Sequence, residues 1–409
     1  MTSAGYNARI ETFPFDFTGD VVAPVLEQTS PVAATYLAGT DFATIEYSGS
    51  GDVTAPVHAV GFEVPVGQPD ISTSGCEASD FAGFPPGSIA LIQRGTCTFR
   101  IKAANAQAAG AVGVIVTNDG QPGRTGLAGV TLTSPQMSLP VVFATSAMRD
   151  NLAGSVLDGP TGVTVHLAVS YLVESRTGRN VIAETSGGDP ARVVVVGAAL
   201  DGGQVGLAVN RATGAATTLE IAEIFASQQR STTSRLRFVW FGGRGVRLGA
   251  TSYVDALSTE DRGRIKAMLD IQELGSPNYG RFVYDGNNSD FTLPVAPAGS
   301  GTIEALLTEY FGGVALSTLP SSTQPLADKE PFLEAGIPVG GVFAGTAGEK
   351  TAEEAALFGG TAGVAYDPCA SVACDGAANL NLTALDQLSD AAAHVVLLLS
   401  KRNLAKNPL

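Results

Sequence analysis

Histidine is almost missing from this chain: there are three in 409 residues, His58, His166 and His394. A metal centre built on several imidazoles is hard to assemble from so few, and each of the three reads as a packed or surface residue. Basic residues are also scarce, 24 against 39 acidic ones, for a net charge of −15. Nucleic acids and anionic membranes both select a basic surface, so neither is an expected partner. No apolar run reaches about 18 residues without interruption, so no membrane-spanning helix is expected. Residues Met1 to Tyr6 lack the basic start and apolar core of a secretory leader. Cysteine is limited to four, Cys76, Cys97, Cys369 and Cys374. Their local pairing suggests two disulfides and an oxidising compartment, the alternative being four reduced thiols in a cytosolic protein. Zinc does not account for them, because neither pair has a third ligand close by.

What is present is ordinary globular material, 44% hydrophobic and 15% charged, in a length that allows two domains with real cores. The chain is organised around Val193-Val194-Val195-Val196-Gly197-Ala198-Ala199-Leu200-Asp201. Such a β-branched run reads as a strand buried on both faces, the centre of a parallel sheet. A loop from Asp201 to Asn210 follows, then a helix from Arg211 to Gln229 with apolar residues at helical spacing. Ligands of open α/β sheets sit at the carboxyl ends of the strands, so function is expected just after Ala198.

Around that centre, Tyr6 to Phe17 alternates as a strand, and so do Leu172 to Arg176 and Asn180 to Glu184. Arg235 to Phe241, Lys266 to Leu274, Arg281 to Asp285 and Pro338 to Phe343 read as further strands. Helices are expected at Gly249 to Leu257, Thr302 to Tyr310 and Leu385 to Leu399. The fold class is therefore α/β, a mixed, mostly parallel sheet sandwiched by helices. From 22 to 167 the texture changes to short strands between Gly/Pro turns, which sets this segment apart as a β-rich insertion. The main domain is then 1–21 with 168–409.

The insertion carries Gly87-Ser88-Ile89-Ala90-Leu91-Ile92-Gln93-Arg94-Gly95-Thr96-Cys97-Thr98-Phe99, then Lys102 and Ala104, Ala108 and Ala109 on a helix from Ile101 to Ala109. This resembles a protease-associated domain, a non-catalytic lid or docking module inserted into peptidases. The flanking segments resemble the di-zinc aminopeptidases, the clan of bacterial leucine-type aminopeptidases, glutamate carboxypeptidase and glutaminyl cyclase. The frame Gly197-Ala198-Ala199-Leu200-Asp201-Gly202 stands where that family writes G-A-H-L-D-S. Gly275-Ser276-Pro277-Asn278-Tyr279 and Phe332-Leu333-Glu334-Ala335-Gly336-Ile337-Pro338 match it almost letter for letter. In the family the first strand follows two helices, of which Ser3 to Tyr6 looks like the end, so the chain is expected to lack the family's N-terminal helices. Both cysteine pairs sit where secreted members carry disulfides. That implies Cys76–Cys97 and Cys369–Cys374 bridges and secretory ancestry, with a cytoplasmic location if Met1 is the native start.

The same resemblance exposes a gap. The family's first histidine falls on Ala199, its bridging aspartate on Asn210, its ligand glutamate on Gly245, its third carboxylate on Gln272 and its last histidine on Ser371. The general-base glutamate falls on Arg244. Two zinc ions held by nitrogen and carboxylate donors cannot be rebuilt from that set, so no metal and no cofactor is expected. Arg211, Arg244 and Arg247 fall on loops or helix starts that line the family's site, and Lys329 and Glu330 replace the Tyr-Gly of its S-D-Y-G-P-F. Asp270 and Gln272 share one strand face, with Glu273 on the other. The expected function is a repurposed, metal-free enzyme acting by cyclisation, isomerisation or rearrangement on an acidic small-molecule biosynthetic intermediate. Asp201 would act as general acid/base and Arg244 as an electrostatic clamp, with Arg211, Arg247, Asn210, Gln272, Lys329 and Ser371 binding the anion. The alternative is a pseudopeptidase that binds peptides or partners, with an active aminopeptidase a distant third.

Overall fold

The computed structural model describes residues 1–63, 71–201, 209–228, 231–243, 247–291, 296–321, 328–346, 348–370, 374–404 and 409. Arg244, Gly245 and Ser371 lie outside the described residues. The chain forms two compact units, Asp16–Ser175 and Met1–Phe15 with Arg176–Leu409. Their borders fall inside two long strands, a few residues from where the composition changes.

The inserted unit runs β1 (Asn7–Ser30), β2 (Ala34–Tyr36), β3 (Phe42–Thr44), β4 (Gly51–Val60), β5 (Ile89–Gln93), α1 (Phe99–Ala108), β6 (Gly113–Thr117), β7 (Val141–Ala144), α2 (Ser146–Ala153) and β8 (Gly159–Glu184). β4, β5, β6 and β7 are parallel neighbours, closed at the ends by antiparallel β8 and β3. Every residue of β5, β6 and β7 is buried, as strands covered on both faces must be. Thr98 caps α1 by accepting the Ile101 N–H at 3.3 Å, which satisfies an otherwise orphaned donor. Cys76 and Cys97 are joined by a disulfide.

The α/β unit continues with β9 (Asp189–Ala199), α3 (Val209–Ser227), β10 (Ser234–Phe241), α4 (Leu248–Asp255), α5 (Thr259–Arg264), β11 (Ile265–Ile271), β12 (Phe282–Tyr284), α6 (Ser300–Gly313), β13 (Leu319–Ser321), α7 (Glu330–Glu334), β14 (Val339–Phe343), α8 (Ala352–Phe358) and α9 (Leu382–Lys401). The strand order is β13-β12-β14-β11-β9-β10-β8. β9 lies parallel between β10 and β11, β14 is parallel to β11, and the antiparallel pairs are β10 with β8 and β12 with β14. Side chains of β9 alternate between two cores. Val194 and Val196 join Ile221 and Phe225 of α3, Leu307 of α6 and Val395 of α9. Val193 and Val195 join Tyr253 of α4 and Phe332 of α7. A period of two delivers this sorting without any long-range information.

Three features differ from the sequence reading. The strands expected at Leu172 to Arg176 and Asn180 to Glu184 are one strand, β8, because Gly178 is not a turn. An added Cβ there would meet the Phe13 ring at 2.4 Å, so the glycine serves close packing instead. α2, α5, α7 and α8 were not anticipated; all are short, and α2, α5 and α8 start on side-chain caps, such as the Thr351–Glu354 capping box of α8, whereas α7 has Pro331 in its first turn instead. α9 is long and apolar enough to cross a membrane, but Leu388, Ala391, Val395 and Leu399 place one face in the core.

Helix α3 carries Gly214 at its closest approach to the sheet: a Cβ there would lie 2.0 Å from the Ile271 carbonyl oxygen. Gly214→Ala is expected to lower stability by about 1–3 kcal/mol through overpacking. Calorimetry should show a depressed Tm for that variant, while Gly263→Ala, with nothing within 4 Å of the new methyl, leaves the Tm nearly unchanged.

Candidate functional site

The carboxyl end of β9 delivers Ala199 and then Asp201. Ala199 is buried and has no donor atom to offer. Asp201 is partly exposed, and burial pushes its carboxyl up to about 6 against the opposing field of Arg211. The first turn of α3 brings Asn210 and Arg211 to the same edge. Asn210 is fully used: its Nδ2 donates to Ser276 Oγ at 2.9 Å and to Asp367 Oδ2 at 2.8 Å, and its Oδ1 accepts the Gly275 N–H at 2.9 Å. Its backbone N–H donates to Asp375 Oδ1 at 3.1 Å, which places a carboxylate at the positive end of the helix. Asp367 also accepts the Cys369 N–H at 3.0 Å and Asn379 Nδ2 at 2.8 Å, and so braces the loop closed by the Cys369–Cys374 disulfide.

Arg211 donates through Nε to Glu273 Oε1 at 3.2 Å. Glu273 has a positive φ of 51°, a conformation that non-glycine residues rarely adopt, and the Thr346 hydroxyl donates to its other oxygen. A small cavity bounded by Asn210, Arg211, Glu273, Thr346, Asp367 and Asp375 opens beside this cluster.

A second cluster lies at the end of β11. Asp270 is fully buried. It accepts Gln272 Nε2 at 3.0 Å and the Tyr284 hydroxyl at 3.3 Å, with Lys329 Nζ 3.7 Å away. Gln272 Nε2 also donates to Asp328 Oδ2 at 3.2 Å, and Asp328 Oδ1 accepts the Arg247 N–H at 3.1 Å. The Lys329 ammonium sits 4.0 Å from the centre of the Tyr284 ring. Burial raises the Asp270 carboxyl and lowers Lys329, each opposed by the charge of the other. Asp328 is pushed up to about 7, by burial first and by Asp270 second. Arg247, at φ 85°, pairs with Glu330 at 3.0 Å and Glu334 at 3.4 Å.

The structure therefore gathers the expected residues into three groups rather than one. Asn210 belongs with Ser276 and Asp367, Arg211 with Glu273, and Gln272 with Lys329 around Asp270. Arg247 turns to the carboxylates of α7. Both described arginines carry carboxylate partners from this chain instead of standing open to a ligand. Ser276, Tyr284, Asp328, Asp367 and Asp375 were not singled out from sequence. A signal existed for the last two, which flank the Cys369/Cys374 pair, and for Asp270, an acid inside an apolar strand that needs a partner.

These donors do not fit a pair of zinc ions. Zinc needs lone pairs from nitrogen, thiolate or carboxylate. Ala199 offers none, the oxygen of Asn210 already accepts an N–H, and Gln272 presents its NH₂ to two carboxylates. Among the described residues no group of three or more His, Cys, Asp or Glu is placed to hold a metal. His58 stacks edge-on against Phe84, His166 bonds Asp52 at 2.8 Å, and His394 packs on Tyr310.

Residues 180–396 match the sequence profile of peptidase family M28, and residues 53–152 match that of the PA domain. The chain is 42% identical over 404 residues to an aminopeptidase of Pseudomonas aeruginosa strain UCBPP-PA14, covering 98% of this chain and 74% of that one. It is 35% identical over 314 residues to leucine aminopeptidase 2 of Trichophyton equinum, covering 76% and 62%. The aminopeptidase from Aneurinibacillus sp. strain AM-1 superposes with a TM-score of 0.70 at 22% identity, over 98% of this chain and 86% of that one. BSAP, a zinc aminopeptidase from Bacillus subtilis, gives 0.63 at 20%, over 98% and 86%. At those identities the two structures speak for the fold.

Asp328 and Asp270 are expected to contribute stability that falls as pH rises. A carboxyl whose folded pKa lies above its unfolded value binds its proton more tightly in the fold, so folding is favoured at low pH and loses that contribution as the group ionises. For Asp328 the window runs from the ordinary value of 3.8 to about 7, and Asp270 shifts in the same direction. Asp328→Asn should flatten this decline. Urea unfolding at several pH values between 4 and 7 checks it: an identical slope in wild type and variant would contradict the assignment.

Proposed function

This chain belongs to peptidase family M28 and carries an inserted PA domain, and we propose that it is a metal-independent member that binds at the family's crevice without cleaving. The single observation that carries this reading is Asn210. At the position where the resemblance puts a bridging aspartate stands an amide whose two donors and one acceptor are all committed to Ser276, Asp367 and Gly275. Gln272 supports it by pointing its amide hydrogens at Asp270 and Asp328. The pairing of Arg211 with Glu273 and of Arg247 with Glu330 supports a peptide or protein occupant over a small anion. An anion clamp would rest on Arg244, which lies outside the described residues. The two disulfides favour an oxidising, extracytoplasmic setting.

The experiment is direct. Protein dialysed against excess zinc and then against metal-free buffer should retain far less than one zinc per chain by elemental analysis, and should leave leucine p-nitroanilide unhydrolysed. Near two zinc ions per chain together with turnover would overturn the proposal.

A second reading keeps an enzyme. Asp201 is partly exposed, and its carboxyl is raised to about 6, close enough to neutrality for general acid/base work. Ring closure or rearrangement without metal would then be its chemistry. A peptide library incubated with the protein separates the two readings. Under the binding reading, mass spectrometry returns every member unchanged. A product of altered mass or, for a rearrangement, of altered chromatographic retention at unchanged mass, that disappears in Asp201→Asn would favour the enzyme.

A further inference from the structure

The inserted unit holds a buried ammonium against a disulfide. Lys102 is completely buried on α1: its Nζ donates to the Ser74 carbonyl and lies 3.5 Å from Sγ of Cys76. The Thr96 hydroxyl stands 3.5 Å from the same sulfur. Asn105 Nδ2 fixes this segment by donating to the Cys76 carbonyl at 2.8 Å and the Gly75 carbonyl at 3.2 Å. Burial lowers the Lys102 ammonium to about 8, and the charge of Asp80 opposes the shift. The disulfide is therefore asymmetric. Cys76 has a cation and a hydroxyl 3.5 Å from its sulfur, and Cys97 has neither among the contacts of the described residues.

We propose that Cys76–Cys97 is a directional thiol-exchange site, at which an external thiol modifies Cys97 and Cys76 is the leaving group. An incoming thiolate attacks Sγ of Cys97 and forms a new S–S bond there. The old S–S bond breaks, and its electron pair stays on Cys76 as a thiolate. That charge meets the Lys102 ammonium and the Thr96 hydroxyl, which can turn to it from the Ser72 carbonyl it otherwise reaches at 3.4 Å. A better-stabilised leaving thiolate departs faster, and a neighbouring lysine is a recognised source of that stabilisation. The reagent class is a small-molecule thiol, and no other reactant is needed. Cys76 and Cys97 are both partly exposed residues, and an external thiol would approach from that exposed side.

The test uses the full chain, folded and oxidised, with reduced glutathione as the probe. Exchange is stopped with acid, remaining thiols are alkylated, and peptide mapping by mass spectrometry locates the adduct. Glutathione is expected on Cys97 and the alkyl group on Cys76, with a preference of roughly tenfold or more. Lys102→Met should bring the preference towards an even split. Thr96→Val, at an exposed position, should reduce it without endangering the fold, and so carries the test if Lys102→Met does not fold. An even split in wild type, a preference for Cys76, no adduct at all, or a preference that Thr96→Val leaves unchanged would each overturn the proposal.

Discussion

The burial of β9 on both faces is the constraint from which the α/β unit follows. Four successive valines cannot be half-exposed, since each gains about 1.5–3 kcal/mol from leaving water. Helices must therefore cover both sides: α3, α6 and α9 on Val194 and Val196, α4 and α7 on Val193 and Val195. A strand enclosed in this way can change chemistry only where it ends. Ala199, Asp201 and the first turn of α3 are thereby forced together at the carboxyl edge. The close seat of α3 also requires Gly214, where backbone stands in the place of a side chain.

The polar residues at that edge answer to a different cost. Removing an ion from water costs several kcal/mol even after relaxation, and a buried pair deprived of one partner loses about 3–5 kcal/mol. Asp270 meets this cost with Lys329, the Gln272 amide and the Tyr284 hydroxyl. Backbone strain collects at the same rim. Arg247 and Glu273 both adopt positive φ, worth on the order of 1–3 kcal/mol each, and both use it to aim a charged group at a partner. Strain of this kind persists only where surrounding structure imposes it, and here that structure is the packed sheet edge.

Fold and site are separable for this reason. The apolar cores of the unit are built without Ala199, Asn210 or Gln272. A family fold can thus persist while the residues at its crevice change character, and membership of peptidase family M28 does not by itself fix the chemistry.

The sequence alone determined what is local and periodic. The valine run dictated a buried parallel strand, the alternation of β-branched and amphipathic stretches dictated an α/β sheet, and the change in texture after residue 21 marked an insertion. That Ala199, Asn210 and Gln272 carry neither carboxylate nor imidazole was legible because residue type is written in the sequence. Tertiary structure decided everything that depends on two distant side chains meeting. No spacing rule reveals that Arg211 meets Glu273, that Arg247 turns to Glu330, or that Asp328 sits within reach of Gln272. Nor could it show that Gly178 continues a strand, since the Phe13 ring that excludes a Cβ lies 165 residues away. A side chain's charge is written in the sequence; its partner, and hence whether that charge is free to bind anything, is set by the packing of the chain.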